Sequence, residues 1–173
     1  MNITIPRRIL EGIFDECDKY QTEETGGRLL GFYRGHGNNL KIDVRALIGP
    51  GPNAKRTQVS FFQDGDYQER IFRAVERQHP RIEHLGNWHT HHVNGLETLS
   101  NGDTETYGRN VNSEHHNTDF FYALLVTRKL QMENMRYAIR HFVFFRGFEG
   151  IVEPTPNHIH ITHSPVLSLR SVQ

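Results

Sequence analysis

Two stretches constrain the architecture of this chain more than any others. Asp119 to Thr127 and Arg136 to Phe145 are both dense in aromatic and β-branched residues. Such side chains suit a pleated, half-buried surface, so both are expected as strands, and the fold must be built on a sheet. Helical periodicity appears elsewhere. Ile9, Leu10, Ile13, Phe14 and Cys17 recur at spacings of three and four behind Pro6, which predicts an amphipathic helix over residues 6–20. Asp64 to His79 repeats the pattern, with Tyr67, Ile71, Ala74 and Val75 on one face. Gly26 and Gly27 break the first helical pattern before an expected strand, Leu29 to Tyr33. The Gly/Asn turn Gly35 to Asn39 then joins that strand to a second, Leu40 to Leu47, as a hairpin. A turn cluster, Gly49-Pro50-Gly51-Pro52-Asn53, precedes a third expected strand, Thr57 to Phe62. Leu85 to His91 reads as a short strand, Ser100 as the start of a helix, and Ile159 to Ile161 as a last strand in a Pro-containing tail. Strands and helices alternate without a strict βαβ rhythm. The expected fold class is therefore α+β and sandwich-like, a mixed, curved sheet with helices packed on it. Residues 1–150 are expected to form one domain, with 151–173 as a C-terminal tail packed on it.

Length and charge narrow the function classes. The 173 residues suit a single domain with one substantial core. Lys plus Arg equals Asp plus Glu at 20 each, so no net field recruits nucleic acid or an anionic membrane, and neither is expected as a partner. The lone Cys17, on the apolar face of the first helix, excludes a disulfide framework and cysteine-rich zinc sites. Zinc-dependent deamination is set aside with them, because its Pro-Cys-x-x-Cys ligands are missing. No apolar run approaches the ~20 residues of a membrane span. Met-Asn-Ile-Thr-Ile-Pro-Arg-Arg at the N-terminus lacks the apolar core of a signal peptide, so a cytoplasmic location is expected.

The 12 histidines raise the question of a metal, and spacing addresses it. In a strand, His89 and His91 point to one face with Cα atoms ~6.6 to 6.8 Å apart. Imidazoles so placed can converge on one ion with metal–nitrogen bonds of ~2.0 Å. Asp103, one turn into the next helix, can add an oxygen. Three protein ligands leave a fourth position open, the layout of a catalytic zinc site. Plainer readings stand beside this one. A His-x-His pair also occurs as a surface or core pair, and Ser100-x-x-Asp103 has the form of a helix N-cap with an acidic residue at N3. Capping and ligation would compete for the Asp103 carboxylate. His92 alternates away from His89 and His91 in a strand. His115, His116, His158, His160 and His163 read as surface or loop residues.

Taken together, Glu24-Thr25-Gly26-Gly27-Arg28-Leu29-Leu30-Gly31, His89-Thr90-His91 and Ser100-Asn101-Gly102-Asp103 resemble the JAB/MPN (JAMM) zinc metalloprotease family. Its pattern is a Glu, then His-(Ser/Thr)-His, about seven residues, and Ser-x-x-Asp. The Gly-Pro-Gly-Pro-Asn turn is similar to prokaryotic, deubiquitinase-like members. The chain departs from the pattern twice: eight residues, not seven, separate His91 from Ser100, and His92 stands where the family usually has Pro. The extra residue lies in a loop, where it can bulge without moving ligands.

The resemblance implies a JAB/MPN-like fold and one Zn2+ per chain, held by His89, His91 and Asp103. It implies Glu24 as general base to a zinc-activated water and Ser100 as hydrogen-bond donor to the tetrahedral oxyanion. The implied reaction is cleavage of an isopeptide or peptide bond after the C-terminal glycines of a ubiquitin-like protein, in deconjugation or precursor processing. The family usually binds the substrate tail as an added strand. Resemblance to prokaryotic members further implies activating and conjugating enzymes as partners, with antiviral defence as one setting. Two rivals remain open: a catalytically silent scaffold that binds ubiquitin-like or partner proteins, and a metal hydrolase of small peptides or amino-acid conjugates.

Overall fold

The structure, a computed structural model, describes residues 1–132, 135–167 and 169. It is α+β, as expected: a curled, mixed eight-stranded sheet with three helices packed on it. In chain order the elements are β1 (Asn2–Pro6), α1 (Arg7–Lys19), β2 (Gly26–Arg34), β3 (Lys41–Ile48), β4 (Lys55–Arg56), β5 (Phe61–Phe62) and α2 (Gly65–Gln78). They continue with β6 (Glu83–Thr90), α3 (Asn101–Asn112), β7 (Phe120–Met132), β8 (Met135–Phe145), β9 (Ile151–Val152) and β10 (Ile159–Thr162). The sheet order is β10-β1-β3-β2-β6-β7-β8-β9, with β4 and β5 forming a separate two-stranded ribbon. β6 and β7 run parallel, whereas β2–β3, β2–β6 and β7–β8 are antiparallel. The segment after residue 150 adds a strand at each edge: β9 on β8 and β10 on β1.

Alternation in β7 sorts the core into layers. Phe120, Tyr122, Leu124 and Val126 face α1, packing with Ile9, Leu10, Ile13, Phe14 and the buried Cys17. Phe121, Ala123 and Leu125 face the other way, against Tyr107 and Val111 of α3. Further along that second face, Ile71, Phe72 and Val75 of α2 cover Leu30, Ala46 and Ile48. The sheet is thus sandwiched, with α1 on one side and α2 and α3 on the other.

Two irregularities re-aim side chains. The register between β2 and β3 slips at Leu30/Gly31, so Ile42 and Val44 face α1 while Ala46 and Ile48 face α2. A second slip, between β2 and β6, puts Leu85 and Trp88 together in the α1-side core, three residues apart instead of two or four. The bulge is built on Gly86, whose φ of 146° lies where L side chains rarely go.

Two expectations need correcting. The first helix starts at Arg7, and residues 2–6 are a buried strand instead. Ile3 and Ile5 are both 0% exposed, and Pro6, with φ −59° and ψ 135°, ends the strand and opens the helix. Of the strand expected over Thr57 to Phe62, only Phe61 and Phe62 form one, β5; Thr57 to Ser60 is the turn that joins it to β4. The Thr57 hydroxyl bonds the Ser60 hydroxyl at 2.8 Å and accepts from the Val59 amide at 3.2 Å, a local alternative to a ladder. No helix among the described residues is long and apolar enough to cross a membrane.

The Gly86 bulge yields a stability prediction. A Cβ there would lie 1.9 Å from the Tyr122 carbonyl oxygen. Backbone strain alone costs about 1–3 kcal/mol, and the clash adds to it. Gly86→Ala is expected to lower the denaturant midpoint by at least that equivalent; an unchanged midpoint would show that the bulge relaxes freely.

Candidate metal centre

Strand register gathers the site. Gly26 of β2 pairs with His89 of β6, so two residues outward Glu24 comes opposite His91. The pairing continues past the strand ends: the Thr25 amide donates to Thr90 Oγ1 at 2.9 Å, and the His91 amide donates to the Val126 carbonyl at 2.7 Å. Two-residue periodicity then puts Glu24, Gly26, His89 and His91 on the face covered by α3. A Cβ on Gly26 would come within 2.6 Å of the Trp88 carbonyl and 2.7 Å of the Phe61 ring, so glycine lets β5 close over this end of the sheet. The N-terminal turn of α3 brings in Asp103.

Ligand atoms of His89, His91 and Asp103 lie within 4.8 Å of one another. The two Nε2 atoms are 3.2 Å apart, and Asp103 lies 3.3 Å from each, through Oδ1 to His89 and Oδ2 to His91. The far nitrogens are also engaged. His91 Nδ1 is 3.0 Å from the Thr98 carbonyl. A carbonyl only accepts, so Nδ1 carries the proton and the neutral ring turns the Nε2 lone pair toward Asp103. His89 Nδ1 lies 2.9 Å from the Tyr107 hydroxyl, which can accept from Nδ1–H in the same tautomer. Lone pairs of two imidazoles and a carboxylate thus meet at one point, which fits a divalent cation of the zinc type. The donor set passes the test of chemistry as well as of spacing.

Electrostatics agree with this picture. Burial opposes the Asp103 charge, but the two imidazoles facing it, each able to carry a proton on Nε2 when no cation is bound, and the Ser100 hydroxyl outweigh burial and hold the carboxyl far below its usual range. Burial pulls His89 down. It pulls on His91 too, but Asp103, with Glu24 adding to it, outweighs burial and lifts that ring. Both rings are buried, and they differ in partners: His91 has the Glu24 carboxylate and the Thr98 carbonyl beside it, His89 has neither. Burial pushes Glu24 up to about 7, with the Asp103 charge adding to the rise and His91 and Asn94 pulling the other way. Its carboxylate lies 4.0 Å from His91 Nε2.

Capping and ligation prove compatible. Asp103 Oδ2 accepts from the Ser100 amide at 2.8 Å and from its hydroxyl at 2.6 Å, while Ser100 Oγ accepts from the Asp103 amide at 3.1 Å. The capping box is complete with the carboxylate facing both histidines, because each oxygen has more than one lone pair to offer. As placed, the Ser100 hydroxyl commits its proton to Asp103. His92 turns away, its Nε2 donating to the Tyr20 carbonyl at 2.9 Å. His116 is buried instead of exposed, its Nε2 2.7 Å from the Phe120 carbonyl. Tyr107, Asn94 and Thr98 are contributors that sequence reading did not single out. Tyr107 alone left a signal: it lies one turn after Asp103 on the face of α3 that must be buried.

No family model matches the chain, and no curated protein matches it. Among solved structures, 135 chains match, so the architecture is a recurrent one. One is the solution structure of a structural-genomics target from Desulfitobacterium hafniense. It is similar at a TM-score of 0.62 with 15% identity, over 94% of each chain. At that identity the likeness concerns the fold alone.

Tyr107→Phe removes the partner of His89 Nδ1 and is expected to weaken zinc binding about 10- to 100-fold, read by chelator competition. Affinity should fall as pH drops, because each imidazole must be neutral to ligate and His91 holds its proton to higher pH than usual. Unchanged affinity in the Phe variant would remove Tyr107 from the metal's support. Asp103→Asn separates cap from ligand. Its amide oxygen can still accept from the Ser100 amide, so the helix should lose no more than about 0.5–2 kcal/mol. Metal content by elemental analysis should nevertheless fall sharply relative to the unmutated protein. Full metal content would leave Asp103 as a cap only.

Proposed function

We propose that the chain is a zinc-dependent hydrolase of the JAB/MPN type, cleaving an isopeptide or peptide bond after the C-terminal glycines of a ubiquitin-like protein. The observation that carries this reading is the position of Glu24. It is 5% exposed and 4.0 Å from His91, beside the three-ligand cluster but outside it. A structural site has no use for an extra proton-holding carboxyl; a hydrolytic one does.

Zinc held by His89, His91 and Asp103 would supply a Lewis acid that brings the pKa of a bound water from about 15.7 toward ~7. Glu24 then accepts the proton of the attacking water and returns it to the departing amine. Its carboxyl, raised to about 7 by burial, suits a group that must both take and give a proton near neutrality, and a cation nearby draws it toward the ionised form. Asp103 stays ionised throughout. Thr98 and Tyr107 keep the two imidazoles aimed. Ser100 can serve the tetrahedral oxygen once its hydroxyl swings away from Asp103, a contact of a kind worth roughly 2.7–4 kcal/mol.

The cleft over the cluster is about 700 Å³, and its lining, more than its size, favours a polypeptide over a small conjugate. None of the described residues lining it is Lys or Arg. A site for free amino-acid conjugates needs a cation for the terminal carboxylate. Its rim instead presents Val59 and Phe62, 75% and 66% exposed, as apolar surface for a chain crossing the cleft. A silent scaffold would need none of the metal-oriented hydrogen bonds. Activating and conjugating enzymes of the same system and a cytoplasmic setting belong to the same reading.

Glu24→Gln tests it. Glutamine keeps size and reach but cannot take a proton at neutral pH. With a reporter fused after a ubiquitin-like Gly-Gly tail and zinc saturating, kcat is expected to fall ~10²- to 10⁴-fold with KM little changed. Equal rates would end the general-base assignment; tight binding without cleavage by wild type would favour the scaffold.

A further inference from the structure

Between His91 and Ser100 the chain makes a loop that does more than connect. The Gly95 amide donates back to the His91 carbonyl at 2.8 Å, with Gly95 at φ 71° making the turn possible. The Thr98 carbonyl meets His91 Nδ1. Between them, Asn94 Nδ2 donates to Glu24 Oε1 at 3.1 Å. The amide can face only one way. The Leu96 amide donates to Asn94 Oδ1 at 2.9 Å, and flipping the side chain would set N–H against N–H and oxygen against carboxylate. His92, at the loop's start, donates to the Tyr20 carbonyl and so ties the loop to the segment that leads into Glu24.

We propose that Asn94 is a positioning residue for Glu24, fixing its carboxylate beside the His89–His91–Asp103 cluster. The proposal rests on Glu24 acting as the general base. Glutamate has three side-chain torsions, and rotation about any of them swings its oxygens off the cluster. A donor locked at both ends of its amide removes that freedom at one oxygen and leaves the other to handle the proton. Asn94 itself is exposed, in a loop outside the core, so its loss spares the fold.

The kinetic test is a double-mutant cycle at saturating zinc, on the Gly-Gly-tailed reporter. Asn94→Ala should lower kcat about 10- to 100-fold, the scale of a misplaced reacting group, with KM and zinc stoichiometry unchanged. In a Glu24→Gln background the same change should do little, because the group it positions no longer transfers protons. A second readout is independent of turnover. In zinc-free protein, the Asn94 side-chain amide resonances should shift on Glu24→Gln, since an amide replaces the carboxyl group that accepts from Nδ2. Resonances that ignore Glu24→Gln, or an Asn94→Ala loss of equal size in both backgrounds, would overturn the positioning role while leaving the base intact. A Glu24→Gln enzyme as fast as wild type would overturn the base and the proposal with it.

Discussion

The antiparallel pairing of β2 with β6 is the interaction on which the centre depends. Gly26 opposite His89 sets the phase of both strands, so Glu24 and His91 meet at the next outward position of the same face. A shift by one residue would turn Glu24 toward α1 while the histidines still faced α3. The phase is held from several sides. The Thr25 amide is caught by Thr90 Oγ1, the Glu24 amide by the Thr57 carbonyl, and the Gly86 bulge pins β6 against Tyr122. The bulge also lets Leu85 and Trp88 share the α1-side core while His84, past the slip, lies against Phe72 and Phe121 on the other side.

Much of this was legible in the sequence because it rests on period and punctuation. The two-residue period put His89 and His91 on one face, and the 3.6-residue period marked α1 and α2. The α+β class followed from mixed periodicities without a βαβ rhythm. What escaped notice had no local signal. β1 is only five residues long, and its burial comes from partners far along the chain, β3 and β10. The turn at Thr57 to Ser60 contains β-formers, and hydroxyl–backbone bonds decide against a strand there. Asn94 reads as an ordinary loop asparagine until the fold sets Glu24 beside it. His116 reads as half of an exposed pair until Thr118 and the Phe120 carbonyl enclose it.

Competition between capping and ligation, which the sequence suggested, dissolves in three dimensions for a geometric reason. An N3 carboxylate reaching back to its N-cap amide lies along the edge of the helix, not beneath it. Its remaining lone pairs point outward from the first turn, toward β6. The positive end of the helix dipole favours the ionised carboxylate at that place, adding to the hydrogen bonds that keep Asp103 charged. A single residue therefore ends the loop, starts α3 and faces both imidazoles.

The same economy bears on how tightly the centre can bind. Every candidate ligand is already oriented by a partner of its own: His91 by the Thr98 carbonyl, His89 by Tyr107, and Asp103 by the Ser100 amide. Tyr107 in turn stacks on Phe121, with ring centroids 5.0 Å apart, so the outer support of His89 is anchored in the core that α3 shares with β7. A cation bound there would cost little in side-chain ordering, so most of the donor–metal interaction would appear as affinity. Small zinc domains differ, since there the metal's binding energy is consumed in folding the chain. Here a large sheet supplies the fold, so a cation at the cluster would not be needed to form it.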